Sequence, residues 1–128
     1  MHIQTRTLEK TDYHDLKEAM IEVYSSIGGD YWTKSSINKL LNIFPEGQFC
    51  VEVDGKVVAV ALAIRVNYAD FGDNHTYAQI TGGYTFKTHT DDGDYLYGIE
   101  VFVHPDFRDL RLGRRLYDAR KELCEQLN

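Results

Sequence analysis

The sequence predicts a single α/β domain, and three observations predict it. Two apolar runs, 48–53 and 56–66, are joined by Asp54-Gly55, a dipeptide that favours the two-residue turn of a β-hairpin. Two segments, 12–27 and 35–44, repeat apolar residues at helical spacing. The last third, 95–128, reads as strand, short loop and helix in that order. With 128 residues there is material for one core and not for two, so 1–128 is one domain.

Each element has a local reason. Residues 3–8 form a first strand. Asp12 caps a helix with Asp15 at its third position; Leu16, Ala19, Met20, Val23 and Ile27 make its buried face, and Gly28-Gly29 ends it. A second helix starts at Ser35 or Ser36, turns Ile37, Leu40, Leu41 and Phe44 inward, and stops at Pro45-Glu46-Gly47. The run 57–64 is apolar on both faces and so belongs to a central strand, where Ala59, Ala61 and Ala63 leave room for a helix to approach. Residues 67–94 are polar and rich in Gly and Tyr, with a short helix near 74–81. Asp70, Asp73, His75 and His89 lie in that stretch, but their irregular spacing fits a solvated loop better than a metal site, and no metal is assigned.

The strand 95–103 is apolar on both alternating sets: Tyr95, Tyr97, Ile99, Val101 and Val103 on one, Leu96 and Phe102 on the other. After His104-Pro105 and a short loop, Leu112, Leu116, Ala119, Leu123 and Leu127 mark the buried stripe of a helix. A loop feeding a helix N-terminus offers unpaired N–H groups and a positive dipole end to an anion. Charge agrees. Residues 108–121 hold six of the 14 basic residues and two of the 20 acidic ones, so this window is +4 while the rest is −10. One basic spot on an acidic chain suits a specific anionic ligand better than nucleic acid, which needs a broad positive face. Charge alone leaves open a helix whose exposed side is simply Arg-rich.

Composition bounds the rest. No apolar run approaches the length of a membrane span, and the start carries no signal-peptide pattern, so a cytoplasmic location without membrane contact is expected. Cys50 and Cys124 are far apart without metal spacing and read as reduced, packed thiols.

The segment Val103-His104-Pro105-Asp106-Phe107-Arg108-x-x-Arg111-x-Gly113-x-x-Leu116 resembles motif A of the GCN5-related N-acetyltransferases (GNAT), roughly V-x-P-x-x-[RQ]-x-x-G-x-[GA]-x-x-L. The match spans about 14 positions, and strand, loop and helix fall in the required order. The wording FGDNHTY, YGIEVFVHP and RLGRRLYDARKELCEQLN resembles, more narrowly, the acetyltransferase-like domain at the amino end of bacterial proteins that continue into a carbon–nitrogen hydrolase (nitrilase-like) domain. The resemblance implies a mixed, mostly antiparallel sheet flanked by helices. It makes 68–94 an inserted loop, since the family crosses there in a tight turn. It also implies that the family's C-terminal half is missing after Asn128, as in an amino-terminal portion of a larger protein, with covalent fusion to a hydrolase domain in that larger protein.

It further implies acetyl transfer from acetyl-CoA, as co-substrate, to a primary amine on a small molecule or peptide. Arg108, Asp109, Leu110, Arg111, Leu112, Gly113 and Arg114 would surround the coenzyme A pyrophosphate. Val101, Phe102 and Val103 would run beside the pantetheine arm and polarise the thioester carbonyl. Arg111 falls where the family has Gly: either its backbone stays right-handed and the guanidinium joins the phosphates, or the site is altered. The loop 28–32 would face the acceptor, or Tyr31 and Trp32 would serve core and rim.

Transfer needs a base, and Glu100 is the single carboxylate within 95–103. It shares a face with Leu96 and Phe102, where partial burial suits a base working through water; the alternative is a structural role at the sheet edge or against an Arg. Tyr97, on the opposite face, is the second candidate. Without the family's next strand, 95–103 is an open apolar edge, and a homodimer or swapped assembly is expected to cover it. The rival function is a catalytically silent acyl-CoA-binding or interaction module serving the fused hydrolase.

Overall fold

In the computed structural model, residues 1–24, 32–67, 69 and 86–127 are described. Their order is β1 (Ile3–Thr7), α1 (Tyr13–Tyr24), α2 (Lys34–Ile43), β2 (Phe49–Val53), β3 (Lys56–Val66), β4 (Tyr95–Val103) and α3 (Leu112–Leu127). Short 3-10 helices precede α1 (Lys10–Asp12), follow α2 (Pro45–Gly47) and link β4 to α3 (Pro105–Leu110). The sheet runs β1-β2-β3-β4 with every pairing antiparallel. It carries helices on both faces.

One face packs on α1 and α2. Leu16, Ala19, Met20, Ile37 and Leu40 meet Val60, Leu62, Ile64 and Phe102 there. The other face packs on α3, where Leu112 and Leu116 reach Ala59 and Ala61. The small side chains on that face of β3 let the helix come close, as their spacing predicts. β3 is buried from Val57 to Ile64, which makes it the central strand. Asp54 and Gly55 both have positive φ, 51° and 87°, the conformation of a two-residue turn whose twist matches the strands. Among the described residues β1 and β4 are the two edges of the sheet.

Local chemistry differs from expectation in several places. Asp12 does not cap α1; it closes a capping box around the 3-10 turn, its carboxylate accepting the Glu9 N–H at 2.8 Å. It also takes both Arg6 prongs, at 2.8 and 2.9 Å, and Arg6 Nη2 donates on to Glu52 at 3.1 Å. Asp15 accepts the Val57 N–H at 3.2 Å, beside an extra residue in β3 that shifts the β2–β3 register. α2 starts at Lys34 because Thr33, not Ser35 or Ser36, accepts the Ser36 N–H. Ile27, the Gly28-Gly29 stop, Tyr31, Asp70, Asp73, His75 and the helix expected near 74–81 lie outside the described residues.

The described end of the long β3–β4 connection is not a solvated loop. Phe86 is core, with its ring 6.0 Å from Trp32. His89 stacks on Phe44 at 4.8 Å, and its Nδ1 accepts the Arg65 N–H at 3.0 Å. The Arg65 carbonyl takes the Thr90 N–H, and its guanidinium donates to the Gly93 and Asp91 carbonyls. Residues 89–93 therefore clasp β3 at Arg65, where β2 stops, without forming a strand. His89 serves packing there. Cys50 is fully buried, and burial pushes its thiol up to about 12. Cys124 is exposed on α3, against the expectation that both thiols are packed. Among the described residues no helix is long and apolar enough to cross a membrane.

Candidate active site

The candidate site lies where the open edge of β4 runs through a 3-10 turn into α3. His104 shapes the first corner: its N–H donates to Val58 O at 2.7 Å, and its Nδ1 accepts the Asp106 N–H at 3.1 Å. Its ring meets Phe107 edge-on at 5.4 Å. Phe107 and Leu110 lean on the Leu112–Leu116 core, so the 3-10 segment is pinned from below. Arg108, Asp109, Arg111, Gly113 and Arg114 are all exposed along this turn.

Arg111 has φ 57° and ψ 38°, the left-handed conformation. Neither alternative drawn from the sequence describes it: the backbone does not stay right-handed, and an arginine itself takes the geometry expected of glycine. The chain turns from 3-10 helix to α-helix at this residue, and the turn imposes a geometry that glycine would adopt without cost. The N–H groups of Leu112, Gly113 and Arg114 open α3, where a helix has no internal acceptor for them. A Cβ built on Gly113 meets nothing within 4 Å, so no neighbour among the described residues requires the glycine. Arg114 pairs loosely with Asp118, at 3.5 Å and well exposed, a contact of little net strength.

The ladder sets what β4 offers outward. Because the His104 N–H points at Val58, alternation turns the N–H and C=O of Phe102 toward β3 and those of Val101 and Val103 toward the open edge. Phe102 itself is buried in the α1-side core. Further along, Leu62 faces Glu100 but Ala63 faces Gly98, so Ile99 is an extra residue, a β-bulge. The bulge reverses the expected faces. Tyr97 pairs with Ile64 and Glu100 with Leu62, two residues of one face, so both side chains lie on the α1 side rather than on opposite sides.

On that side Glu100 Oε2 accepts the Tyr24 hydroxyl at 3.0 Å. Burial, and then the Glu100 carboxylate, push the Tyr24 hydroxyl up to about 12, so it remains a donor. Trp32 flanks this region from the rim, its carbonyl accepting the Tyr13 hydroxyl at 2.7 Å. On the other side Arg120, from α3, fills the bulge: Nη2 donates to Leu62 O at 2.6 Å and, more weakly, to Glu100 O at 3.4 Å. Burial lowers the Arg120 pKa from its ordinary value. Gly98 makes this possible, since a Cβ there would come within 2.9 Å of Nη1. Arg120, counted from sequence among the surface cations, is thus a sheet residue in all but name.

Tyr24, Arg120 and the bulge were missed from sequence. A glycine inside an otherwise apolar strand was the available sign of the bulge. For Arg120 it was the position four residues past Leu116, beside the buried stripe.

A family model described as "Acetyltransferase (GNAT) family" matches residues 13–128. "Probable hydrolase YhcX" of Bacillus subtilis (strain 168) is 35% identical over 123 residues, covering 96% of this chain and 24% of the relative. "Uncharacterized N-acetyltransferase YkwB" of the same organism is 29% identical over 92 residues, covering 72% of this chain and 41% of the relative. The chain thus spans less than half the length of these curated relatives. The solved loading GNATL domain of CurA from Lyngbya majuscula superposes with a TM-score of 0.77 at 24% identity, over 98% of this chain and 60% of that one. The GphF GNAT-like decarboxylase in complex with isobutyryl-CoA gives 0.66 at 18% identity, over 90% and 55%. With strand, bulge, turn and helix in place and the family model covering most of its length, the chain belongs to the acetyltransferase (GNAT) family.

Proposed function

We propose that this domain transfers an acetyl group from acetyl-CoA to a primary amine. The observation that carries the reading is the turn at Arg111. A non-glycine residue holds the left-handed geometry there, so the N–H groups of Leu112, Gly113 and Arg114 open the helix beneath unfilled space over Gly113. A diphosphate fits that head, with the Asp109 and Leu110 backbone beside it and Arg108, Arg111 and Arg114 around it. The pantetheine arm then runs along β4, pairing with the outward groups of Val101 and Val103, while Phe102 contributes a packed floor.

In the transfer, the amine nitrogen attacks the thioester carbonyl, the C–S bond breaks, and coenzyme A leaves as the thiolate, which takes a proton from solvent. Glu100 takes the amine's proton through water, and Tyr97, now on the same face, is the second candidate for that task. The outward Val101 N–H donates to the carbonyl oxygen as it becomes anionic. A cationic amine suits the acidic remainder of the chain. In the absence of coenzyme A, a second copy pairing along the β4 edge would cover this apolar strand, with Tyr95 and Val101 exposed, and would compete with the pantetheine arm for Val101 and Val103. A monodisperse monomer by light scattering at high concentration would count against that pairing.

A second reading is a silent acyl-CoA-binding or interaction module of a hydrolase-fused protein. It is favoured by the Tyr24 hydroxyl already bonded to one Glu100 oxygen and by the small share of YhcX that this chain spans. Turnover of acetyl-CoA with a panel of primary amines, wild type against Glu100→Gln, separates the two. Loss of turnover with coenzyme A binding intact supports the transferase; binding without turnover in the wild type supports the silent module.

A further inference from the structure

We propose that Arg120 is a positioning residue for acyl transfer: its guanidinium holds the β4 bulge open and polarises the peptide whose N–H, at Val101, faces the acyl carbonyl. This rests on the transfer reading above and adds a residue to it.

The geometry gives the reason. At the bulge β3 and β4 fall out of step, and the Leu62 carbonyl, turned toward β4, is taken by Arg120 Nη2 at 2.6 Å. The same nitrogen reaches Glu100 O at 3.4 Å, the carbonyl end of the Glu100–Val101 peptide. The other end of that peptide is the Val101 N–H, which alternation points to the open edge. A cation at the carbonyl end draws electron density from the amide and strengthens its N–H as a donor, most of all where water is excluded. Arg120 is half-buried, and its Nε is buried and makes no hydrogen bond among the described residues.

A guanidinium buried for anchorage alone would be expected to pair every N–H. Arg120 instead leaves its buried Nε without a partner among the described residues and directs Nη2 at two carbonyls at the bulge. Gly98 is the other half of the arrangement, because any side chain there would strike Nη1. Sheet and helix are therefore cut to admit this cation where the β3–β4 ladder opens.

The test compares Arg120→Met and Arg120→Lys with wild type on the 128-residue chain, using acetyl-CoA and a panel of primary amines. Two quantities are read: the Val101 amide proton resonance in the free protein, and kcat and KM for acetyl-CoA. Arg120→Met is expected to move the Val101 amide upfield and to lower kcat about tenfold with KM changed less than about threefold, less than removal of a direct oxyanion donor costs. Arg120→Lys should recover part of both. An unmoved Val101 resonance, or a loss carried by KM with kcat unchanged, overturns the proposal. If wild type turns over no amine, the transfer reading fails on its own, and with it the catalytic part of this inference; the resonance still decides whether Arg120 polarises the peptide. Should Arg120→Met not fold, Gly98→Ala displaces the guanidinium while keeping its charge and is judged by the same two readouts.

Discussion

The side-chain amide of Gln48 pairs with both backbone groups of Ala63. Its Oε1 accepts the Ala63 N–H at 2.9 Å, and its Nε2 donates to Ala63 O at 2.7 Å and to Phe44 O at 3.0 Å. Gln48 is wholly buried, so it acts as one more peptide unit, continuing the β2–β3 ladder past the end of β2 and tying α2 to the sheet. Gln48→Leu would strand three backbone groups away from water. We expect a loss of about 2–4 kcal/mol in unfolding free energy, read by urea denaturation. A loss below about 1 kcal/mol would mean that the ladder closes without the amide.

Arg111 carries a backbone conformation that costs a side-chain-bearing residue about 1–2 kcal/mol. Arg111→Gly removes that cost but adds freedom to the unfolded chain, so a net gain of about 0.5–1 kcal/mol is expected. Arg111→Ala, which keeps the strain, should change stability little. Coenzyme A titration of both variants separates the shape of the turn from the guanidinium. Alanine and glycine should weaken binding alike if the charge matters, and neither if only the turn does.

Gly113 offers a sharper separation of fold from ligand. Nothing lies near its missing side chain, and alanine is a better helix former than glycine by about 0.5–1 kcal/mol. Gly113→Ala should hold or raise the melting temperature while weakening coenzyme A about tenfold, because the methyl occupies the space a diphosphate needs. Unchanged affinity would move the phosphates elsewhere.

The Arg6–Asp12 fork predicts an acid-sensitive stability. Burial pushes the Asp12 carboxyl up, but the Arg6 hydrogen bonds and the Glu9 N–H outweigh it and leave its pKa below the ordinary value. A depressed folded pKa means that the contribution is complete above the unfolded value, near about 3.9, and is lost as pH falls through the folded one. Asp12→Asn should therefore cost about 1–2 kcal/mol at neutral pH. Its stability should also fall less steeply than wild type below about pH 4, until the two curves meet at strongly acid pH.

Helices, hairpin and central strand were legible because their signals are local: apolar spacing, the Asp54-Gly55 turn, the stop at Pro45. The bulge was not. Every position around Ile99 is apolar or glycine except Glu100, so a slip of one residue leaves the alternation looking the same, and Tyr97 and Glu100 were placed on opposite faces. The Tyr24–Glu100 bond joins residues 76 apart, beyond any local pattern. Arg120 was read by its charge, which said surface; the space that Gly98 leaves says otherwise. His89 was read as a wet loop residue because its stacking partner, Phe44, lies on another element.

Gly93 touches the Val66 backbone so closely that a methyl there would lie 2.6 Å from Val66 O, and Arg65 clasps the Asp91 and Gly93 carbonyls. The exit from β3 and the entry to β4 are thus riveted together at the rim of the sheet. Whatever length of chain runs between Asn67 and Phe86, its closure is settled by this rivet, and each doubling of that length adds only about 0.6 kcal/mol. Foreign sequence spliced there should leave the register of β4 untouched, whereas one methyl at Gly93 should spring it.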